Sequence, residues 1–181
     1  FALPLLDAPS AVLSSTEIES REYITMTMEA MRQAGISVAE KPGLRGFEVL
    51  PAAYCPFAGA VEADWSQAAF WYAANFLGSP VEIQGLNPLS AGCPDLLPPL
   101  AVMAAVRQGT VRFVHAARLR LKESDRLQTT AAMLQALGGT VEEGADSLTV
   151  QGQPQLLGGT VDGANDHRIV MAAAVAATAC A

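Results

Sequence analysis

The chain has 181 residues, 51% apolar and 16% charged, which supplies material for a buried core and excludes a disordered segment. Acidic residues outnumber basic ones 18 to 11, a formal charge of −7, and that field repels polyphosphate backbones, so no nucleic-acid partner is expected. The Ala-rich stretch 169–181 falls short of the roughly 20 residues a membrane span needs, so no membrane partner is expected either.

In chain order, the first predicted helix covers residues 22–34, where Ile24, Met28 and Met31 share one face and read as core. Gly35 closes it, and Ile36-Ser37-Val38 begins a strand. After the turn Lys41-Pro42-Gly43 a second strand, 46–50, completes a hairpin. Asp64 and Ser66 are cap candidates for a helix over 66–77. Gly78 ends that helix, and the run Ser79-Pro80-Val81-Glu82-Ile83 reads as the strand after it.

A third helix, 96–108, leads through Gly109 into a strand from Thr110, and a fourth, 125–137, capped by Ser124 or Asp125, leads through Gly138 into 140–143. The turn Gly144-Ala145-Asp146 then returns the chain as a strand over 147–150, and a fifth helix starts at His167. Four helix-glycine-strand junctions imply a repeated α/β unit. The two hairpins make the sheets mixed and not purely parallel.

Three cysteines, Cys55, Cys93 and Cys180, form no CxxC pair and leave an odd count. Free thiols and a cytoplasmic protein are expected. The two histidines lie at no metal-ligand spacing, so no metal site is expected. The chain opens on Phe1-Ala2-Leu3-Pro4 without Met and closes inside an Ala-rich helical pattern, and we expect a piece of a longer protein.

Charge is distributed unevenly. Five of the eleven basic residues, Arg112, Arg118, Arg120, Lys122 and Arg126, fall between positions 112 and 126. This is either a solvated basic face or an anion site. If 118–122 is extended, Arg118, Arg120 and Lys122 project to one side. Lys122 and Glu123 then stand at a helix N-terminus, whose free N–H groups and dipole favour an anion, and Arg126 lies in its first turn. Glu123 is either an ion-pair partner for Arg120 or Arg126, or a carboxyl balanced between cations and burial so that it can give and take a proton.

A second constellation, Asn165-Asp166-His167-Arg168, also opens a helix. Asp166 reads as its N-cap, His167 as a hydrogen-bonded core residue, and Arg168 as a fork suited to a carboxylate.

The blocks RLRLKESDRLQTTAAMLQALGGTVEEG and VDGANDHRIVM, with ADWSQAAFWYAANFLGSPVEIQGLN and CPDLLPPLAVMAAVRQGTVRF, closely resemble the enolpyruvylshikimate-phosphate synthases of bacteria and plants. The resemblance covers essentially the whole chain and rests on the Lys-Glu-Ser-Asp-Arg and Asp-His-Arg pair. It implies an α/β fold of the α+β type, built of repeated βαβαββ units with mixed sheets and buried helices, in two similar domains. Residues 1–61 would be the last part of the first domain and 62–181 most of the second, with an internal gap near 88–93 where the family has a further helix and strand.

It also implies transfer of the enolpyruvyl group of phosphoenolpyruvate to the 5-hydroxyl of shikimate 3-phosphate, a step of aromatic amino-acid biosynthesis, without metal or organic cofactor. Ser20 would contact the shikimate phosphate and Tyr23 lie against the ring. Asp95 would be the base on the 5-hydroxyl, Lys122 would touch both substrates, and Glu123 would protonate the methylene carbon. Arg126 and Arg168, with Asp166 and His167 beside them, would hold phosphoenolpyruvate.

Arg118 stands where the resemblance has an asparagine, four residues before Lys122, and would take that residue's place at the substrate despite the change of side chain. Family members are more than twice as long, so the remainder of the same enzyme is the implied partner and the piece alone is expected to be inactive. A nucleotide-sugar enolpyruvyl transferase and a non-catalytic anion-binding or interaction module are the alternatives.

Overall fold

Gly35, Gly78, Gly109 and Gly138, each following an apolar helical pattern, all adopt a left-handed backbone, with φ of 81°, 96°, 96° and 82°. At three of them the helix closes by a pair of crossed hydrogen bonds. The Gly35 N–H donates to the Arg32 carbonyl and the Ile36 N–H to the Met31 carbonyl, both at 2.9 Å. Gly78 with Ser79, and Gly138 with Gly139, repeat the pattern. The computed structural model describes residues 1–16, 18, 21–42, 45–59, 61, 63–86 and 94–181. Four sequence expectations lie outside the described residues: Ser20, Gly43 of the first turn, Cys93 and the gap near 88–93.

The chain divides into two compact units, Phe1–Val61 and Glu62–Ala181. In the first, strands β1 (Ser10–Leu13), β2 (Val38–Glu40) and β3 (Gly46–Val49) form an antiparallel sheet in the order β1-β3-β2. Helix α1 (Arg21–Gln33) contributes Met28 and Met31 to a small core with Ile36, Val38 and Val49, against which Ile24 packs. The predicted apolar stripe is therefore core.

In the second unit, β4 (Thr110–Phe113), β5 (Thr140–Glu143) and β6 (Leu148–Gln151) form an antiparallel sheet in the order β4-β6-β5. Val111 and Val141 flank Val150, and Phe113 and Glu143 flank Leu148. The apolar members of that register face helices α2 (Trp65–Phe76), α3 (Leu97–Ala105), α4 (Arg126–Ala136) and α5 (His167–Ala177), which share one core with the sheet. Parallel pairing among the described residues occurs as single bridges, Ala63 with Leu86 and Leu156 with Cys180.

Three sequence expectations are corrected here. Residues 79–83 do not form a strand: the Asn75 side-chain amide donates to the Val81 carbonyl at 2.7 Å, and the Val81 N–H donates back to Asn75 Oδ1. A side chain thus takes the groups a ladder would use, and Pro80 has no N–H to offer.

The third helix stops at Ala105, short of residue 108. Gly109 belongs to the entry into β4, its carbonyl accepting from the Gly152 N–H at 2.8 Å.

Residues 118–122 are not extended. Ala117–Leu121 is a 3-10 turn that buries Leu119, entered through His115 at φ 58° and pinned by the Ala116 N–H on the Asp146 carbonyl at 3.0 Å. Burying Leu119 outweighs the extended form, so Arg118, Arg120 and Lys122 do not line one side.

Among the described residues, Cys55 and Cys180 are free thiols, and no helix is long and apolar enough to cross a membrane.

Candidate active site

The starts of four helices meet at one place in the second unit. Each is prepared locally. Asp64 caps α2, its carboxylate accepting from the Ser66 N–H at 2.7 Å; Asp125 caps α4 through the Gln128 N–H at 3.1 Å; and Asp166 caps α5 through the Arg168 N–H at 3.0 Å. Helix α3 opens with Leu97-Pro98-Pro99, where a missing N–H costs no intrahelical bond. Asp95 lies in the 3-10 turn Pro94–Leu96 just ahead of it. Four positive dipole ends directed at one region favour negative charge there.

Arg126, in the first turn of α4, is the hub. Its Nε donates to Asp166 Oδ2 at 2.7 Å, Nη2 to Asp166 Oδ1 at 3.3 Å and Nη1 to Asp95 Oδ1 at 2.6 Å. Arg126 is 2% exposed and Asp166 0%. Around this buried fork the contacts are looser. Lys122 Nζ lies 3.3 Å from Asp95 Oδ1, Arg168 Nη2 lies 3.5 Å from Asp95 Oδ2, and Arg126 Nη2 lies 3.7 Å from Glu123 Oε1. His167 Nδ1 is within 2.8 Å of Glu123 Oε2. Three cations and three carboxylates thus alternate, with Lys122, Glu123 and His167 on the accessible side.

Burial pushes the Asp95 carboxyl up, but the charges of Arg168, Lys122 and Arg126 together outweigh it and hold it below the usual aspartate value. Asp166 behaves likewise: burial raises it, and the hydrogen bonds from Arg126, Ser124 and the Arg168 N–H bring it below its ordinary value. For Arg126, burial favours loss of the proton, and the Asp166 and Asp95 carboxylates more than compensate, so its pKa is raised. Both aspartates are anions at neutral pH and Arg126 is a cation.

The predicted site residues divide by position. Asp95, Lys122, Glu123, Arg126, Asp166, His167 and Arg168 come together in the second unit. Tyr23 belongs to α1 of the first unit and Arg118 to the 3-10 turn. His167 is not a core residue: it is exposed and bonded to Glu123, because the α5 cap at Asp166 turns the next side chain outward. Glu123 pairs with Arg126, while Arg120 turns to Asp125 and Glu143.

Two contributors were not legible as site residues. Ser66 accepts from Arg168 through both its carbonyl, at 3.4 Å, and its hydroxyl, at 3.2 Å. Ser124 donates to Asp166 Oδ2 at 2.9 Å. Their sequence signal was that of helix caps.

Donor atoms of Glu123, Asp166 and His167 lie within 4.8 Å of one another, the one such trio among the described residues. Asp166 already accepts from Arg126, Ser124 and the Arg168 N–H, so a cation there would compete with a guanidinium for the same oxygens.

A family model described as EPSP synthase (3-phosphoshikimate 1-carboxyvinyltransferase) matches residues 91–181. A 3-phosphoshikimate 1-carboxyvinyltransferase of Clostridium acetobutylicum is 35% identical over 218 residues, covering 99% of this chain and 51% of the relative. Its counterpart in Brachyspira hyodysenteriae is 32% identical over 218 residues, covering 97% and 52%.

Among solved structures, the EPSP synthase of Acinetobacter baumannii superposes with a TM-score of 0.70 at 17% identity, covering 99% of this chain and 52% of that one. The enolpyruvyl transferase NikO of Streptomyces tendae gives 0.52 at 13% identity, covering 94% and 50%. The chain spans about half the length of the curated relatives it matches. The Clostridium alignment is longer than the chain's 181 residues, so that relative carries residues there without counterpart here.

Proposed function

The chain belongs to the EPSP synthase family, and from that premise we propose that it supplies a large part of the catalytic site of a carboxyvinyl transferase acting on phosphoenolpyruvate and shikimate 3-phosphate. In this reading it works within a polypeptide of the relatives' length, residues 1–61 being the end of one domain and 62–181 most of another. The remainder supplies the other contacts, and the segment alone does not turn over.

The observation that supports this most is the grouping of Lys122, Arg126 and Arg168 around Asp95, with Glu123 beside them, where four helix starts meet. Joining a hydroxyl to an enol phosphate requires a base at the hydroxyl, an acid at the methylene carbon and cations around dense negative charge. Asp95, ionised, accepts the proton of the 5-hydroxyl as its oxygen bonds to the central carbon of phosphoenolpyruvate. Glu123 delivers a proton to the methylene carbon, then takes one back from the methyl group as phosphate leaves and the double bond re-forms. The proton held by Asp95 leaves with the phosphate.

Lys122 and Arg168, held to Asp95 at 3.3 and 3.5 Å, are loosely paired and turn to the substrate anions. Arg126 engages the phosphoenolpyruvate carboxylate by exchanging it for Asp95 at Nη1, which frees Asp95 for the hydroxyl. Asp166 and His167 line the same position, the first by holding Arg126 and the second by holding Glu123. Ser20, Tyr23 and Arg118 contribute to the shikimate phosphate and ring.

The test is product formation by the full-length polypeptide containing this segment, given phosphoenolpyruvate with shikimate 3-phosphate or with a nucleotide sugar, followed by phosphate release and mass spectrometry. The enolpyruvyl ether of shikimate 3-phosphate is expected. Transfer to the sugar would replace the proposed substrate, and no transfer to either would favour an anion-binding module.

A further inference from the structure

Arg120 lies outside every role assigned above, yet it is among the most heavily bonded side chains near the site. Its Nε donates to the Ala145 carbonyl at 2.9 Å and Nη2 to the Gly144 carbonyl at 2.6 Å, while Nη1 meets Asp125 Oδ2 at 2.7 Å and Glu143 Oε1 at 2.8 Å. Gly144 and Ala145 form the turn between β5 and β6, and Glu143 ends β5. Asp125 is the N-cap of α4, its other oxygen accepting from the Gln128 N–H. One planar fork therefore joins the hairpin turn to the start of the helix that carries Arg126.

The connection brackets the chemistry. Residues 121–124 run between Arg120 and Asp125, whose side chains bond to each other, so Lys122 and Glu123 lie in a short loop closed at its base. The Ala116 N–H on the Asp146 carbonyl fastens the same stretch to the same turn from its other end. A loop of this length without such a closure has several backbone states, and Lys122 and Glu123 would sample positions beyond the fraction of an ångström that proton transfer tolerates.

We propose that Arg120 is a positioning residue, tying the Lys122–Glu123 segment to the β5–β6 turn so that both side chains are held ready for substrate. A guanidinium is required because its N–H groups diverge in one plane toward four acceptors on two elements; a lysine ammonium is a point charge and cannot span them. The inference rests on the proposed function of the site for its catalytic consequence, and on geometry alone for its structural part.

The experiment uses the full-length polypeptide with Arg120→Ala and Arg120→Lys, each alone and combined with Glu123→Gln, assayed well below the melting temperature. Both single variants are expected to lose about tenfold or more in kcat, with lysine failing to rescue. In the Glu123→Gln background the further loss should be clearly smaller than in the parent, because Arg120 then has Lys122 alone left to hold ready. A kcat within about twofold of the parent, or full losses that multiply in the double variant, would overturn the proposal.

Hydrogen exchange read on the same proteins separates this from the function itself. Amides of residues 122–126 should exchange about tenfold faster in Arg120→Ala while those of 169–173 in α5 hold their rates. Unchanged exchange at 122–126 overturns the positioning role even if the parent shows no enolpyruvyl transfer. If Arg120→Ala does not fold, Glu143→Ala, which removes one acceptor from outside the loop, should speed the same amides, and no change there overturns the positioning role equally.

Discussion

Arg126 and Asp166 meet across the starts of α4 and α5 with Nε 2.7 Å from Oδ2, and solvent reaches almost nothing of either side chain. Residues forty positions apart thus form the floor of the site. The same aspartate caps α5 and accepts from Ser124, so one carboxylate sets the helix start, the guanidinium and the preceding loop.

Removing that carboxylate leaves a buried guanidinium with Asp95 as its close partner. Asp166→Ala is expected to destabilise the second unit by about 3–5 kcal/mol, measured by urea unfolding of the chain at neutral pH. An effect below about 1 kcal/mol would show that Arg126 finds water or another partner.

The pH dependence follows from the direction of the shifts. Asp95 and Asp166 have folded-state values below the ordinary 3.8 of an aspartate, so in acid the unfolded chain takes up protons before the folded one. The stability they confer is fully present above about pH 4–5 and is lost as pH falls through the lower folded values. Asp166→Asn, which keeps much of the shape, should flatten the loss of stability below about pH 4, as read from urea midpoints at descending pH. A parent and variant with parallel profiles would contradict the assignment.

At the accessible side the effects are on turnover. In the full-length polypeptide, Lys122→Ala should reduce kcat/KM for phosphoenolpyruvate by at least tenfold, about 1.4 kcal/mol. Glu123→Gln retains the shape without the transferable proton and should reduce kcat more than KM. Steady-state kinetics with both substrates varied checks each, and normal turnover of Glu123→Gln would remove it as the acid.

Gly152 offers a stability test away from the site. A Cβ there would overlap the backbone carbonyl oxygen of Arg107, in the turn after α3, and press on that of Ala104 in the last turn of α3. Gly152→Ala should cost about 1–3 kcal/mol, seen as a lower thermal midpoint.

Much of the fold could be read locally. The glycine after an apolar helical pattern announced helix ends at Gly35, Gly78 and Gly138, because left-handed closure and its two hydrogen bonds involve neighbours within a few residues. Asp64, Asp125 and Asp166 were legible as caps for the same reason. The segment 79–83 departs from its strand pattern because Asn75 satisfies Val81 from the previous helix, a choice that no strand propensity reports. Residues 118–122 depart from the extended form because Leu119 is buried by contacts distant in sequence.

The sequence by itself determined the kinds of residue available for the chemistry: a lone cluster of cations in an acidic chain, two arginine-bearing helix starts, and motifs specific enough to name a family. Tertiary structure alone decided how those groups are paired. It sent Arg126 beneath the surface to Asp166 and Asp95, turned His167 outward to Glu123, brought Ser66 to Arg168 from 102 residues away, and drew Arg120 to the hairpin turn. Electrostatic and hydrogen-bonding energies depend on distances between side chains and on the water excluded around them, and neither quantity exists until the helices have packed.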